Sequence, residues 1–254
     1  MSKDSAVLRE VLAGWLALAV ASALAWWVTL DQARAMADMP QCDGTMGLSF
    51  LPFVGTWTAM MTAMMLPSVA PVAIPWSRSI RRSARGTERV SRLALFAAGY
   101  LGAWAALGAL AFAAEVATDA LVLHAPRTAP WLGSAIYASA GAFQLTRWKD
   151  ACLRHCRSPV GALAHYSGVR GPWRDLRVGV HHGIWCMGCC AGLMAVLIAV
   201  GLMNVPAMVA LALVVFLEKT WRYGPALSRV AGVALLGGAL LAPFHPGLLP
   251  GLAR

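Results

Sequence analysis

Two histidines and three cysteines fall within ten positions of the stretch HHGIWCMGCCAGLM, residues 181–194. On an α-helix each residue turns the chain by about 100°, so His182, Cys186 and Cys189 share one face and Cys190 lies one step away. His182 and Cys186 are four residues apart, which allows one metal ion to contact both side chains. The types and spacing of these residues predict metal or thiol chemistry.

The same predicted helix contains a less favoured candidate ligand and two glycines. His181 faces about 100° away from the other candidates and is therefore a secondary one. Gly183 and Gly188 have no side chain, so another helix or an ion can come close to the backbone at either position.

A second cysteine pair lies upstream in KDACLRHCRSP, residues 149–159. Cys152 and Cys156 are four residues apart with His155 between them, a spacing that brings two thiols to one side of a helix. The alternative is a basic loop that lies on lipid headgroups.

Four methionines form two neighbouring thioether pairs in MMTAMMLPSVAP, residues 60–71. Met60 pairs with Met64, and Met61 pairs with Met65, because residues four apart lie on the same helix face. Thioethers are soft metal ligands. The alternative is packing, since methionine also fills gaps between helices.

Three polar residues border the apolar stretch 204–220. Glu218 and Lys219 are ionisable groups at its end, and a charge inside a membrane helix indicates function by default. The alternative is that they pair with each other or extend to the membrane surface. Asn204 is expected to cap the helix that follows it.

A further group of soft ligands lies near the N-terminus, in MADMPQCDGTMG, residues 36–47. Met36, Met39, Cys42 and Met46 could receive Cu(I) there, although a plain loop is the favoured interpretation. Cys42 has no evident cysteine partner in that region, so a structural disulfide is not expected.

The composition of the chain places these groups in a membrane. Of the 254 residues, 59% are hydrophobic and 13% are charged, against about 45–50% and roughly 25% in soluble domains. The net charge of +10 comes from Lys and Arg residues in short loops, which is typical of topology signals rather than of a nucleic-acid-binding face. We therefore expect a lipid bilayer as partner and no nucleic acid.

Crossing a bilayer takes about 20 mostly apolar residues. The predicted fold is one all-α transmembrane bundle over residues 1–254, with seven spans near 10–30, 50–74, 93–114, 130–147, 178–201, 204–220 and 228–245. Nearly all Lys and Arg residues fall on alternate loops, which places the N-terminus in the cytoplasm and the C-terminus outside. The cysteine and methionine motifs then meet in the cytoplasmic half of the bundle, where cysteines stay reduced.

Thiolates and thioethers select soft ions, so Cu(I) is the favoured metal, with zinc and iron as alternatives. In the favoured mechanism Cys186, Cys189 and Cys190 hold Cu(I), and His182 or Met64 completes the shell. Two other classes stay open: a membrane redox enzyme that uses the Cys186-x-x-Cys189 spacing, and an assembly scaffold without chemistry. The sequence has no nucleotide-binding loop, which argues against ATP-driven pumping.

The ordered set of motifs resembles a bacterial family of predicted metal-binding integral membrane proteins, a domain of unknown function, from about Trp57 to Lys219. The set comprises MMTAMMLPSVAP, AGAFQLTRWKDACLRHCRSP, GVHHGIWCMGCCAGLM, GLMNVPAM and the terminal EK. The family motifs correspond to Met60, Met61, Met64, Met65, Pro67, Cys152, Cys156, His182, Gly183, Cys186, Gly188, Cys189, Cys190, Asn204, Glu218 and Lys219. The chain departs from the family at Ala191 and at Arg147-Trp148, which affects packing near the site.

We expect a protein of the bacterial inner membrane that serves copper transport, delivery or homeostasis. Its partners would then be the metal ion and a metallochaperone or membrane protein that gives or takes the metal. Self-association of the chain is a further expectation.

Overall fold

The computed structural model describes residues 3–37 and 44–252, and this part of the chain is helical without a strand. Its α-helices are α1 Lys3–Ala37, α2 Phe50–Ser83, α3 Gly86–His124, α4 Ala129–Gln144, α5 Arg147–Arg157, α6 Pro159–Ser167, α7 Arg174–Val200, α8 Val205–Thr220 and α9 Gly224–Leu241. Two short 3₁₀ turns cover Pro126–Thr128 and Pro246–Leu248. The predicted all-α class is confirmed, while Met39 and Cys42 lie outside the described residues.

Each predicted span coincides with a helix, but the helices differ in length. α1, α2, α3, α7 and α9 are long and apolar enough to cross a membrane. α4 and α8 have 16 residues each, which corresponds to about 24 Å and is shorter than the roughly 30 Å hydrocarbon core. A helical bundle with five candidate spans is therefore present among the described residues, and the count of seven and the orientation stay predictions.

α2 continues through three prolines, Pro67, Pro71 and Pro75. A proline inside a helix removes the donor to the carbonyl four residues earlier. Pro67 thereby frees the carbonyl of Ala63, and the hydroxyl of Ser22 on α1 donates to that oxygen at 2.8 Å. The neighbouring helix thus satisfies the carbonyl that the proline deprives of its partner.

α3 and α7 pack against each other backbone to backbone at glycines. A Cβ added at Gly179 would overlap the Phe96 carbonyl oxygen, and one at Gly183 would come within 2.8 Å of the Ala103 Cβ. The contact advances in the same direction along both helices, so α3 and α7 are parallel. The close approach expected at Gly183 is therefore a helix contact.

α5 and α6 lie between the fourth and fifth predicted spans. The alternative of a basic loop over residues 149–159 is wrong, because these residues are helical up to Arg157 and again from Pro159. Each helix begins with a side-chain cap. The Thr146 hydroxyl accepts from the Lys149 backbone N–H at 3.2 Å, and the Ser158 hydroxyl accepts from the Gly161 backbone N–H at 3.2 Å. α5 also exposes charged side chains such as Arg154, so no long apolar run marks it as a helix.

Candidate metal centre

Four thiols lie in one buried cluster. Cys186, Cys189 and Cys190 come from the middle of α7 and Cys156 comes from α5, and each is 2% exposed or less. These four and Cys152, which are the described cysteines, are free. Cys156 packs in the same buried hydrophobic cluster as the three thiols of α7, so the two cysteine motifs of the sequence meet.

Two of the thiols are turned toward the backbone of their own helix. The Sγ atoms of Cys189 and Cys190 each lie 3.0 Å from the carbonyl oxygen of Cys186 and donate to it. Within residues 3–37 and 44–252, no three or more His, Cys, Asp or Glu side chains are arranged to hold a metal ion. Coordination by several thiols therefore requires rotation about the Cα–Cβ bonds of these cysteines.

A buried lysine contacts the first of these thiols. Lys219, at the end of α8 and 4% exposed, donates from Nζ to the Cys186 Sγ at 3.0 Å and to the Ser68 Oγ at 3.2 Å. The Tyr100 hydroxyl lies 3.2 Å from the same sulfur. An ammonium next to a sulfur favours the thiolate, which is the form that binds metal.

A second buried network lies beside the thiols. Glu218 accepts from the Lys149 Nζ at 2.6 Å and from the Gln144 Nε2 at 2.9 Å. Lys149 also donates to the carbonyl oxygen of Cys189, and the side chains of Lys149 and Glu218 are 0% and 1% exposed. The network therefore joins α4, α5, α7 and α8 at the thiol cluster.

Glu218 and Lys219 neither pair with each other nor extend to the surface, so the alternative interpretation of these two residues is wrong. Adjacent residues on a helix point about 100° apart, so Glu218 turns to Lys149 and Lys219 turns to Cys186. Sequence reasoning missed four partners, namely Lys149, Gln144, Ser68 and Tyr100. Gln144 could have been recognised because a glutamine is unusual inside an apolar segment. Lys149 could not, because it is one of several basic residues in its segment.

The methionines of α2 lie in the same core as the thiols. All four are 1% exposed or less and share one hydrophobic cluster with the four cysteines: Met60, Met61, Met64 and Met65. The Sδ of Met65 lies 4.0 Å from the hydroxyl of Ser68, which also accepts from Lys219. The structure thus places the thioethers of α2 and the four thiols in one buried cluster.

Cys152 lies at the edge of the cluster and is half-buried. Its Sγ covers Gly188, where an added Cβ would come within 2.9 Å of the sulfur. The close approach expected at Gly188 is therefore the contact of α5 with α7. Burial raises the pKa of Cys152, and the neighbouring Cys189 raises it further.

Histidines surround one tyrosine hydroxyl near the beginning of α7. The Tyr166 hydroxyl lies 3.1 Å from the His155 Nε2, 3.3 Å from the His182 Nδ1 and 3.5 Å from the His181 Nδ1. His182 is 2% exposed, and its Nδ1 is engaged by Tyr166. Burial lowers the pKa of His155, and His181 and His165 lower it further, so this imidazole is neutral at neutral pH.

Three other sequence candidates cap a helix or pack in the core. Asn204 caps α8 as predicted, because its Oδ1 accepts from the Ala207 backbone N–H at 3.1 Å. The length of α8 separates Asn204 from Lys219. Met36 lies in α1 and Met46 is 5% exposed, and both pack in the main hydrophobic core.

A family model described as a copper chaperone, PpoB2, matches residues 54–242. This range contains every cysteine, methionine and lysine of the cluster described above. Comparison with curated proteins and with solved structures yields no match. Because the matching range is well over half of the chain and agrees with the metal-related domain expected from the motifs, the chain belongs to the PpoB2 copper chaperone family.

Proposed function

We propose that the chain is a membrane copper chaperone that carries Cu(I) as cargo on the thiols of Cys156, Cys186, Cys189 and Cys190. The observation that carries this proposal is the meeting of four thiols from two separate motifs in one water-excluded core. The description of the family as a copper chaperone supports it.

The donor set fits Cu(I) better than zinc or iron. Thiolate and thioether ligands select soft ions, and the four methionines of α2 share the core of the thiols. Zinc sites use cysteine, histidine and carboxylate ligands without thioethers. The carboxylate of the network beside the thiols, Glu218, is already paired with Lys149.

The charges around the thiols also suit a monovalent ion. Two thiolates and one Cu(I) carry a net negative charge, and a buried charge is costly unless it is paired. Lys219 supplies the opposite charge because its Nζ contacts the Cys186 sulfur. A divalent ion at the same two thiolates would leave the ammonium without a negative partner.

Four neighbouring thiols suit delivery rather than permanent storage. Cu(I) binds with few ligands, so the cluster offers more sulfur donors than one ion needs. The ion can therefore exchange one sulfur for the next, from Cys186 on α7 to Cys156 on α5, without leaving the protein. A metallochaperone or a membrane protein would give or take the metal.

We further propose that the bundle crosses the bacterial inner membrane seven times, with the N-terminus in the cytoplasm. Five helices have the necessary length and apolar character. The parallel packing of α3 and α7 supports α4 as a further crossing, because the chain between them has to return to the end where α3 begins. The positive-inside pattern then makes the beginning of α7 cytoplasmic.

The test of copper binding is elemental analysis of anaerobically purified, Cu(I)-loaded protein, with X-ray absorption at the copper edge. We expect stoichiometric copper with a sulfur shell. The triple variant Cys186→Ser/Cys189→Ser/Cys190→Ser should lose the metal. The matched control Cys152→Ser should keep it, because that half-buried thiol lies over Gly188 at the edge of the cluster.

Other outcomes would indicate the other classes of protein. A shell of nitrogen and oxygen without sulfur would overturn the thiol site. A Cys186–Cys189 disulfide that cycles with quinone would indicate a redox enzyme. Protein that holds neither copper nor a redox-active dithiol would be a scaffold.

A further inference from the structure

A group of histidines lies between the buried thiols and the protein surface. His165 is exposed, His155 and His181 are half-buried, and His182 is 2% exposed. They come from α6, α5 and α7, so the fold and not the sequence brings them together. Four of the six histidines of the chain meet at this one place.

The three outer rings are near neighbours, although they are not yet turned to hold an ion between them. The ring centroids of His165 and His181 are 4.8 Å apart, those of His155 and His181 are 5.6 Å apart, and those of His155 and His165 are 6.5 Å apart. Imidazole nitrogen is a good ligand for copper. Because His165 is exposed and the other two rings are partly so, all three have room to turn toward an ion.

The outer histidines are connected to the thiols by a chain of contacts. The Tyr166 hydroxyl is hydrogen-bonded to the His155 Nε2 on one side and to the His182 Nδ1 on the other. The His182 ring stacks on Tyr100 with the centroids 6.1 Å apart. The Tyr100 hydroxyl lies 3.2 Å from the Cys186 Sγ. The group therefore runs from the exposed His165 and the half-buried His155 to fully buried residues beside Cys186.

We propose that His155, His165 and His181 form a second copper site, a surface loading site that receives Cu(I) and passes it by way of His182 to the thiols. This inference rests on the proposed function of the thiol cluster. In the described conformation the rings bond Tyr166 and Trp185, so the ion replaces these hydrogen bonds when it binds.

Transfer from the histidines to the thiols is a ligand exchange without a change of oxidation state. A copper–nitrogen bond breaks as a copper–sulfur bond forms, and the thiol proton passes to the imidazole that leaves. The metal stays Cu(I) throughout, so no oxidant or reductant is needed. The direction is set by affinity, because thiolate sulfur is a softer ligand than imidazole nitrogen.

The test compares the rate of Cu(I) loading with the equilibrium affinity. In the variant His155→Gln/His165→Gln/His181→Gln, loading of the detergent-solubilised protein from a Cu(I)–chelator complex should slow by about tenfold or more. The final copper content and the affinity measured by chelator competition should equal those of the unmodified protein. The matched control His124→Gln, an exposed histidine at the end of α3, should load at the normal rate.

Two further variants separate this site from the thiol cluster and from a folding defect. Protein with Cys156, Cys186, Cys189 and Cys190 all changed to Ser should still bind Cu(I) weakly, with a nitrogen shell in X-ray absorption that the three His→Gln changes abolish. The single variant His165→Gln alters an exposed ring and leaves the core intact, and it should also load more slowly.

Unchanged loading in both histidine variants would overturn the loading site while leaving the thiol cluster in place. Absence of a nitrogen-bound ion in the Cys→Ser variant would overturn it as well. Failure of the unmodified protein to hold copper through sulfur would instead overturn the proposed function itself.

Discussion

Lys219 is buried with its ammonium 3.0 Å from the sulfur of Cys186 and 3.2 Å from the hydroxyl of Ser68. A buried ammonium is costly unless a partner offsets its charge, and here the partner is a thiol that the proposed function assigns to copper. Lys219, near the end of α8, therefore places a positive charge beside the cysteine cluster.

The variant Lys219→Met tests this role, because it keeps a long apolar stem and removes the charge. We expect the affinity for Cu(I) to fall by about 10–100-fold, since two buried thiolates lose their counter-charge. Competition with a chromophoric Cu(I) chelator in anaerobic detergent solution measures the change. Ser68→Ala, which leaves the ammonium in place, should bind nearly as well as the unmodified protein. Equal affinity in Lys219→Met would contradict the counter-charge.

At the scale of the helices, the contact of α3 with α7 sets the position of the cysteine motif. Gly179 and Gly183 allow the backbone of α7 to approach the backbone of α3 at Phe96 and Tyr100. Cys186 lies on the next turn of α7, and the Tyr100 hydroxyl of α3 contacts its sulfur. Close packing at small residues therefore positions the tyrosine hydroxyl against the thiol.

The variant Gly179→Ala tests the importance of this contact. An added methyl group would overlap the Phe96 carbonyl oxygen, so we expect the free energy of unfolding to fall by about 1–3 kcal/mol or more. Denaturant or thermal unfolding in detergent measures it. The control Gly102→Ala lies on α3 with nothing within 4 Å of an added Cβ, and should have no effect or raise stability by up to about 1 kcal/mol. Equal stability of both variants would contradict the close contact.

The helices differ in how well the sequence predicts them. Long apolar runs predict α1, α2, α3, α7 and α9, because burial in lipid or protein requires apolar side chains all along the helix. α5 and α6 follow from local capping and from one buried face. A search for long apolar runs misses α5 because its outer face is basic, and misses α6 because it has only 9 residues. Helix Phe50–Ser83 also extends well past the predicted end of span 50–74.

At the scale of the whole molecule, the chain between α3 and α7 returns to the end where both helices begin. α4, α5 and α6 together make this return, and the break between α4 and α5 lies at Leu145 and Thr146. Lys149, on the first turn of α5, then reaches Glu218 and the carbonyl of Cys189. The break between α4 and α5 therefore allows polar groups such as Lys149 to reach the core.

Cysteine labelling from each side of the membrane tests the seven-span arrangement. In a Cys42→Ser background, a membrane-impermeant maleimide should label Arg170→Cys in inverted vesicles and Ser49→Cys in spheroplasts. Both positions are exposed. If α4 did not cross, the segment that contains Arg170 would lie outside, so labelling of Arg170→Cys in spheroplasts would contradict seven spans.

The sequence identifies several donors of the candidate site but not their partners. The density and spacing of Cys186, Cys189 and Cys190 indicate metal chemistry without any structure. The partner of Glu218 is Lys149, and these residues are 69 positions apart. Helical periodicity relates residues within one element and carries no information about such a contact.

The sequence by itself determined the helical class, the membrane-like composition and the presence of soft candidate ligands, because the length of an apolar run and the type of a side chain are local properties. The tertiary structure decided which donors meet. It brings Cys156 into the cluster of the α7 thiols, the ammonium of Lys219 to Cys186, and His155 to the ring of His182. These contacts depend on how helices that are distant in sequence pack together. Small residues at helix contacts and buried polar pairs set that packing, and they find their partners only when the chain folds.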